Sequence, residues 1–192
     1  MNFRLTPVVK NLLIINVLVF IAQMMFDGPG QQLTQLLALW PWQSGNFQPW
    51  QVITHMFTHG GFGHILFNMF ALWSFGTILE QRWGAKNFLI FYLACGLAAA
   101  LAQMLISPAP AVGASGAIMG LLAAFAYRFP NLTLFMFPIP FPIKAKWAIA
   151  IIAAIDLFGG VAPTGDNIAH FAHLGGLLMG FALVMFRKQS FF

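Results

Sequence analysis

Ser115 stands in the stretch "VGASGAIMG", Val112 to Gly120, as a lone hydroxyl between Gly113 and Gly116 at the start of an apolar run. A serine there has two uses. It can cap a helix by accepting a free backbone N–H, or it can attack a carbonyl once a base removes its proton. The second use needs an imidazole within about 2.6–3.2 Å and preorganised donors for the oxyanion that follows. The chain has five histidines, His55, His59, His64, His170 and His173. His64 is followed by Asn68 in "HILFN", and a spacing of four puts both side chains on one helix face. His173 comes three residues before Gly176 in "AHLGGLLMG".

Elements able to hold these residues follow from composition. Of 192 residues, 60% are hydrophobic and 7% charged, far below the roughly 25% charged content of soluble domains. The mean hydropathy is +0.82. A membrane span needs about 20 mostly apolar residues, and six stretches offer this: 8–26, 62–81, 87–106, 113–127, 147–161 and 168–186. The expected fold is all-α, a polytopic membrane protein with six transmembrane helices, residues 1–192 forming a single domain. The first stretch lacks a small-x-small cleavage site in "IAQMMFDG" and reads as a retained helix.

The nine basic residues fall at Arg4 and Lys10, at Arg82 and Lys86, at Arg128, Lys144 and Lys146, and at Arg187 and Lys188. These positions precede or open span one or follow spans two, four and six, and the other three connections carry none. Cytoplasmic loops collect Lys and Arg, so both termini are expected in the cytoplasm. The net charge of +5 thus reports topology, and no nucleic-acid partner is expected. A single cysteine, Cys95, excludes an internal disulfide and any CxxC motif, and reads as a packing residue.

The segment from Asp27 to Gly61 is long for a connector and holds Trp40, Trp42 and Trp50. Tryptophan favours the membrane interface, so this is expected to be a loop with short helical turns in the outer leaflet. After span four, "FPNLTLFMFPIPFPIKAK" carries Pro130, Pro138, Pro140 and Pro142. Proline at that density breaks helix and predicts an extended cytoplasmic connection.

In this topology all five histidines lie on the outer side. Spans two, four and six each enter from outside, so His64, Asn68, Ser115 and His173 are expected at similar depth. Gly116 with Gly120, and Gly176 with Gly180, are small-xxx-small pairs that let membrane helices approach closely. Two such faces bring Ser115 within reach of His173. Donors for an oxyanion are the N–H of Ser115 at the positive end of its helix, the Asn68 amide and a His64 ring N–H. Each residue also has a plainer role: Ser115 as a cap, His64 and Asn68 as helix bridges, His55, His59 and His170 as structural or interfacial groups. Asp156 in span five and Asp166 before span six are the nearby carboxylates, and a Ser–His dyad is the simpler arrangement.

With these motifs in hand, the chain resembles the rhomboid family of intramembrane serine proteases. "HILFN", "GASG" and "AHLGGLLMG" agree in order and span with that family's HxxxN, GxSG and AHxxGxxxG patterns. The resemblance implies that Ser115 is the nucleophile, His173 the general base, and His64 with Asn68 the oxyanion stabilisers. It also implies a rhomboid-like bundle, a partly embedded first loop, and a span five that helps admit substrate. Two departures stand out. Many members have Trp-Arg in the first loop where this chain has Trp50-Gln51, and several bacterial members have a tyrosine where this chain has Met119.

The function expected is a serine endopeptidase cleaving transmembrane protein substrates near the outer ends of their helices. No cofactor or metal is expected. The setting is a bacterial inner membrane, with the site facing outward. Two rivals are an inactive rhomboid-like binding protein and a metal-dependent hydrolase or transporter using the histidines. The first is disfavoured by the retained Ser115 and His173, the second by the absence of HExxH and clustered carboxylates.

Overall fold

The computed structural model describes residues 5–135, 141–162 and 168–186. Arg4, Arg187, Lys188, Pro138, Pro140 and Asp166 lie outside the described residues. Helices occupy the apolar stretches: α1 (Pro7–Phe26), α4 (Phe62–Ala71), α5 (Thr77–Ile106), α6 (Ser115–Arg128), α7 (Ala145–Val161) and α8 (His170–Phe186), with α2 (Gln32–Leu37) and α3 (Gln51–Thr54) in the first loop. A π-helical turn, Leu72–Gly76, joins α4 to α5.

Inside α5 the helix is interrupted at Gly84, where φ is 77° and ψ is 160°. Positive φ is the glycine region of backbone space, and here it reverses the chain. A Cβ on Gly76 would lie 3.2 Å from the Phe88 ring, whereas twelve residues of unbroken helix span about 18 Å. Residues 62–83 and 85–106 are therefore two helical arms that fold against each other, as the separate apolar stretches predict. By length and composition, Pro7–Phe26 and Phe62–Ile106 qualify as membrane-crossing helices, and His170–Phe186 is a shorter apolar one.

The distribution of polarity is inverted relative to a soluble domain. Large apolar side chains such as Leu18, Phe67, Phe70, Leu105, Phe158 and Leu178 face outward, while Asn16, Gln23, Glu80, Gln103 and Asp156 are buried. Buried polar groups must find partners inside. Glu80 on α5 accepts from the backbone N–H groups of Val8 (2.9 Å) and Val9 (2.8 Å) and from the Thr6 hydroxyl. It thereby satisfies the free first-turn donors of α1, which has Pro7 in its first turn and no local side-chain cap.

The innermost contact joins α6 to α8. A Cβ on Gly176 would overlap the Gly116 carbonyl, and one on Gly180 would overlap the backbone of Gly120. On the other side of α8, a Cβ on Gly175 would lie 2.8 Å from the Ala98 carbonyl of α5. The small-residue faces thus meet backbone to backbone. Cys95 is buried against Gly120, in the packing role expected of it.

Short helical turns do form in the first loop: α2, the 3-10 turns Trp42–Ser44 and His55–Phe57, and α3. Asp27 caps α2, accepting from Leu33 (2.8 Å) and Thr34 (3.0 Å) N–H groups. The loop is tied to α1 through Gln23, whose amide donates to the His59 carbonyl (3.0 Å) and accepts from the His59 N–H (3.0 Å). Within the described parts of the connection after α6, β1 (Thr133–Leu134) pairs antiparallel with β2 (Ile143–Lys144); the expectation of an extended connection falls in part on residues outside the described ones.

Burial lowers His55 to about 4 against an ordinary 6.5, its bond to the Gln51 carbonyl opposing only in part. His59 is likewise lowered to about 4, by burial first and the neighbouring His64 second. The unfolded chain takes up these protons first, so the stability from both neutral rings is full above pH 6.5 and is lost as pH falls through 4. At full displacement each is worth on the order of 3 kcal/mol. The detergent-solubilised melting midpoint should fall between pH 7 and pH 4, and His59→Phe should flatten that fall; a midpoint independent of pH contradicts it. Separately, Gly176→Val forces a branched side chain into the α6 backbone. A loss above ~3 kcal/mol is expected, measured as a lowered midpoint, whereas Gly63→Ala, with open space around it, should change little.

Candidate active site

The first turns of α4, α6 and α8 meet around Ser115. The helix carrying it begins after Gly113, whose φ of 120° is open to glycine and strained for other residues. That turn is held from outside: the Gly113 N–H donates to the His55 carbonyl (2.8 Å), and Ala111 and Leu39 exchange two backbone hydrogen bonds at 2.9 Å. The first loop thus braces the segment leading to Ser115. The N-cap of α6 is Ala114, with no side-chain capping bond. Ser115 is therefore not used as a cap; its Oγ lies 2.8 Å from Nε2 of His173.

The close approach of α6 and α8 makes that bond possible. Gly116 follows Ser115, and a Cβ there would lie 3.4 Å from the Ala172 carbonyl, the residue before His173. His64 and Asn68 stand on the other side of the turn. A Cβ on Gly113 would be 2.7 Å from His64 Nε2 and 3.5 Å from Asn68 Nδ2, so the His64 ring leaves no room for one and the Asn68 amide stands at contact distance. His64 Nδ1 accepts the Gly60 N–H at 3.3 Å, which in the neutral ring leaves Nε2 as the donor. Asn68 Nδ2 is buried with no hydrogen-bond partner among the described residues. Two donors therefore stand beside the serine turn.

His173 is held at both ring nitrogens. Its Nδ1 lies 2.9 Å from Asp156 Oδ1 on α7, and the same oxygen lies 2.8 Å from His170 Nδ1. The His170 ring meets the His173 ring edge-on, with centroids 6.5 Å apart. Spacing alone does not put Asp156 here; its one signal is a carboxylate in an apolar helix, where charge is retained only with partners. Met119 is half-buried on α6. Gln51 is buried in the first loop, its amide accepting from Trp40 (3.3 Å) and Gln48 (3.1 Å) N–H groups and donating to the Leu36 (3.3 Å) and Asn46 (3.2 Å) carbonyls.

The remaining histidines are apart from the Ser115 contact. His55 Nδ1 is bonded to the Gln51 carbonyl at 2.8 Å, and His59 packs edge-on against His64 with centroids 5.1 Å apart. Among the described residues, no three His, Cys, Asp or Glu side chains form a metal-binding group.

Comparison with known proteins identifies the family. The Rhomboid domain family matches residues 46–190. Rhomboid protease GluP of Bacillus subtilis (strain 168) is 39% identical over 133 residues, 69% of this chain and 25% of GluP. Rhomboid protein 1, mitochondrial, of Saccharomyces cerevisiae is 36% identical over 138 residues, 67% of this chain and 39% of that protein. RHOMBOID-like protein 6, mitochondrial, of Arabidopsis thaliana is 35% identical over 163 residues, 82% of this chain and 50% of that protein. The chain thus spans between a quarter and a half of the length of these relatives. That family implies a polytopic membrane bundle, and the chain belongs to it: a membrane protein of the rhomboid intramembrane protease family.

Proposed function

We propose that this chain is a serine endopeptidase that hydrolyses peptide bonds near the outer ends of transmembrane helices in membrane-protein substrates. The observation that carries the reading is the 2.8 Å contact between Ser115 Oγ and His173 Nε2. It has the geometry of a nucleophile and its base.

Ser115 Oγ attacks the scissile carbonyl carbon while its proton passes to His173 Nε2. The carbonyl oxygen becomes an oxyanion, received by the Asn68 amide, the His64 Nε2–H and the N–H of Ser115, preorganised dipoles of the kind that lower such barriers most. The C–N bond then breaks, the leaving amine takes the proton from His173, and an acyl-serine remains. Water, activated by the same imidazole, attacks that ester, releases the new carboxyl terminus and returns the proton to Ser115. A helical substrate hides its carbonyls in hydrogen bonds, so it must unwind locally first. Substrates with Gly or Pro near the cleavage point are favoured for that reason.

The orientation belongs to the same reading. Arg82 and Arg128 both lie over the Phe129 ring, at 4.9 and 5.6 Å from its centroid, at the end of α6 opposite Ser115. Lys144 and Lys146 are at the start of α7. Basic residues away from the serine turn support six spans with both termini in the cytoplasm and the site facing outward, as in a bacterial inner membrane. Residues 1–192 are read as one six-span domain, and the Glu80 bonds to the first turn of α1 support including that helix.

The test is cleavage of a panel of transmembrane reporters in detergent and in liposomes. Wild type should cleave and Ser115→Ala should not; equal cleavage by both overturns the reading. A fluorophosphonate probe should label wild type at Ser115. Asn68→Ala should lower kcat by about 10²-fold, the scale set by oxyanion donors elsewhere, with little change in melting. The rate should fall in acid as imidazole protonates and ceases to be a base.

A further inference from the structure

We propose that Asp156 is a positioning residue for His173, extending the Ser115–His173 pair into a hydrogen-bonded relay that runs from α6 through α8 to α7. The inference rests on Ser115 and His173 being nucleophile and base, and adds a third group from a helix that carries neither.

Asp156 is buried, and it is the only carboxylate in α7, whose other residues except Lys146 are uncharged. A carboxylate in an apolar helix is costly to hold unless it is paired. Its partners are two imidazoles: His173 Nδ1 at 2.9 Å and His170 Nδ1 at 2.8 Å, both on Oδ1. An ionised carboxylate only accepts, so both Nδ1 atoms carry the proton. For His173 this fixes the tautomer. Nδ1 is N–H, and the Nε2 lone pair faces the Ser115 hydroxyl 2.8 Å away. The other tautomer would put an N–H against that hydroxyl and leave it without a base. When the Ser115 proton reaches Nε2, the ring becomes cationic beside a carboxylate that already accepts its Nδ1–H. The proton stays on the imidazole, and Asp156 stabilises the charge without taking it.

Packing keeps the carboxylate in register. Gly159, almost one turn further along α7, lies against the His170 ring so closely that a Cβ would overlap it. A Cβ on Gly160 would lie 3.1 Å from the Phe171 ring. The small residues let α7 approach α8, and His170 occupies the space they leave. Asp156 then reaches one helical turn along α8, from His170 to His173. This also answers the absence of a tyrosine at position 119. His173 is oriented by a bond at each ring nitrogen and by the edge of His170.

The experiment compares wild type, Asp156→Asn and His170→Leu as full chains in detergent, with melting measured for each. Asp156→Asn keeps the shape and removes the charge. It should lower kcat by about tenfold or more, as loss of the orienting carboxylate does in soluble triads, with KM within twofold. Its acid limb of kcat should move to lower pH, because the imidazolium has lost its counter-charge. The charged and titratable groups facing His173 in that profile are Asp156 from α7, His170 on α8 and His64 from α4. His170→Leu loosens the α7–α8 contact and leaves the Asp156 charge in place, so its melting midpoint should fall while its acid limb of kcat stays that of wild type. If the acid limb of His170→Leu moves as far as that of Asp156→Asn, or if Asp156→Asn keeps its rate or its acid limb, Asp156 serves helix docking only and the inference is overturned. A second readout needs no turnover. In wild type carrying ¹⁵N-labelled histidine, the signal lost in His173→Ala should report a neutral ring protonated at Nδ1; protonation at Nε2 overturns the relay. Because that measurement is independent of cleavage, failure of the relay is distinguishable from failure of the protease reading, which Ser115→Ala alone decides.

Discussion

Two helices touching through their backbones is the constraint on which the rest of this structure depends. Without side chains at Gly116, Gly120, Gly176 and Gly180, α6 and α8 approach until carbonyl oxygens meet the positions where Cβ atoms would be. Water drives no such contact within lipid, where helix association relies on van der Waals packing and interhelical bonds. Closeness is therefore both the adhesive and the alignment. It sets the separation of the residues just before the two glycine rows, and Ser115 and His173 are those residues. A hydrogen bond of 2.8 Å between side chains on different helices leaves little tolerance, and backbone contact supplies it because neither surface has rotamers to adjust.

Around this axis the other elements restrain one component each. The first loop holds the segment before α6 through the paired bonds of Leu39 with Ala111 and the Gly113 bond to His55. That loop is anchored in turn to α1 by Gln23, and α1 is anchored to α5 by Glu80. Buried polar side chains here act over long sequence separations, joining elements whose outer faces are apolar. Such bonds are strong in an environment without competing water, which is why a chain with so few charges places several of its polar groups at helix junctions.

Much of the site was legible because its parts repeat at helical spacing. His64 with Asn68, and His173 with Gly176, share faces that the four- and three-residue intervals define, and the glycine pairs announce which helices approach. The helix boundaries followed from apolar length. What spacing could not reveal was contact between helices without a shared small-residue row. Asp156 lies in α7, and its link to His173 depends on the angle at which α7 meets α8, a property set by Gly159, Gly160 and the His170 ring together. The reversal at Gly84 was legible as a gap between two apolar stretches, yet its mechanism, a single residue at φ 77°, was not. Gln51 is similar: its type says only that it is not arginine, whereas four hydrogen bonds make it an internal strut of the first loop.

An imidazole that must accept a proton from serine and later return it needs a fixed tautomer and a fixed plane. Aromatic stacking fixes the plane alone. A bond from Nδ1–H to a carboxylate fixes both, because the ring must keep Nδ1 in line with the acceptor while Nε2 faces the hydroxyl. In this chain position 119 holds a flexible methionine, and the carboxylate comes from a different helix. The His173 ring is thereby oriented from α7 rather than by a neighbour on α6, and His173 is the point at which three helices are joined by side-chain bonds. The geometry of the His173 ring then depends on how α7 sits against α8, so the helix-packing contact at Gly159 and the Ser115–His173 hydrogen bond are two ends of one chain of interactions.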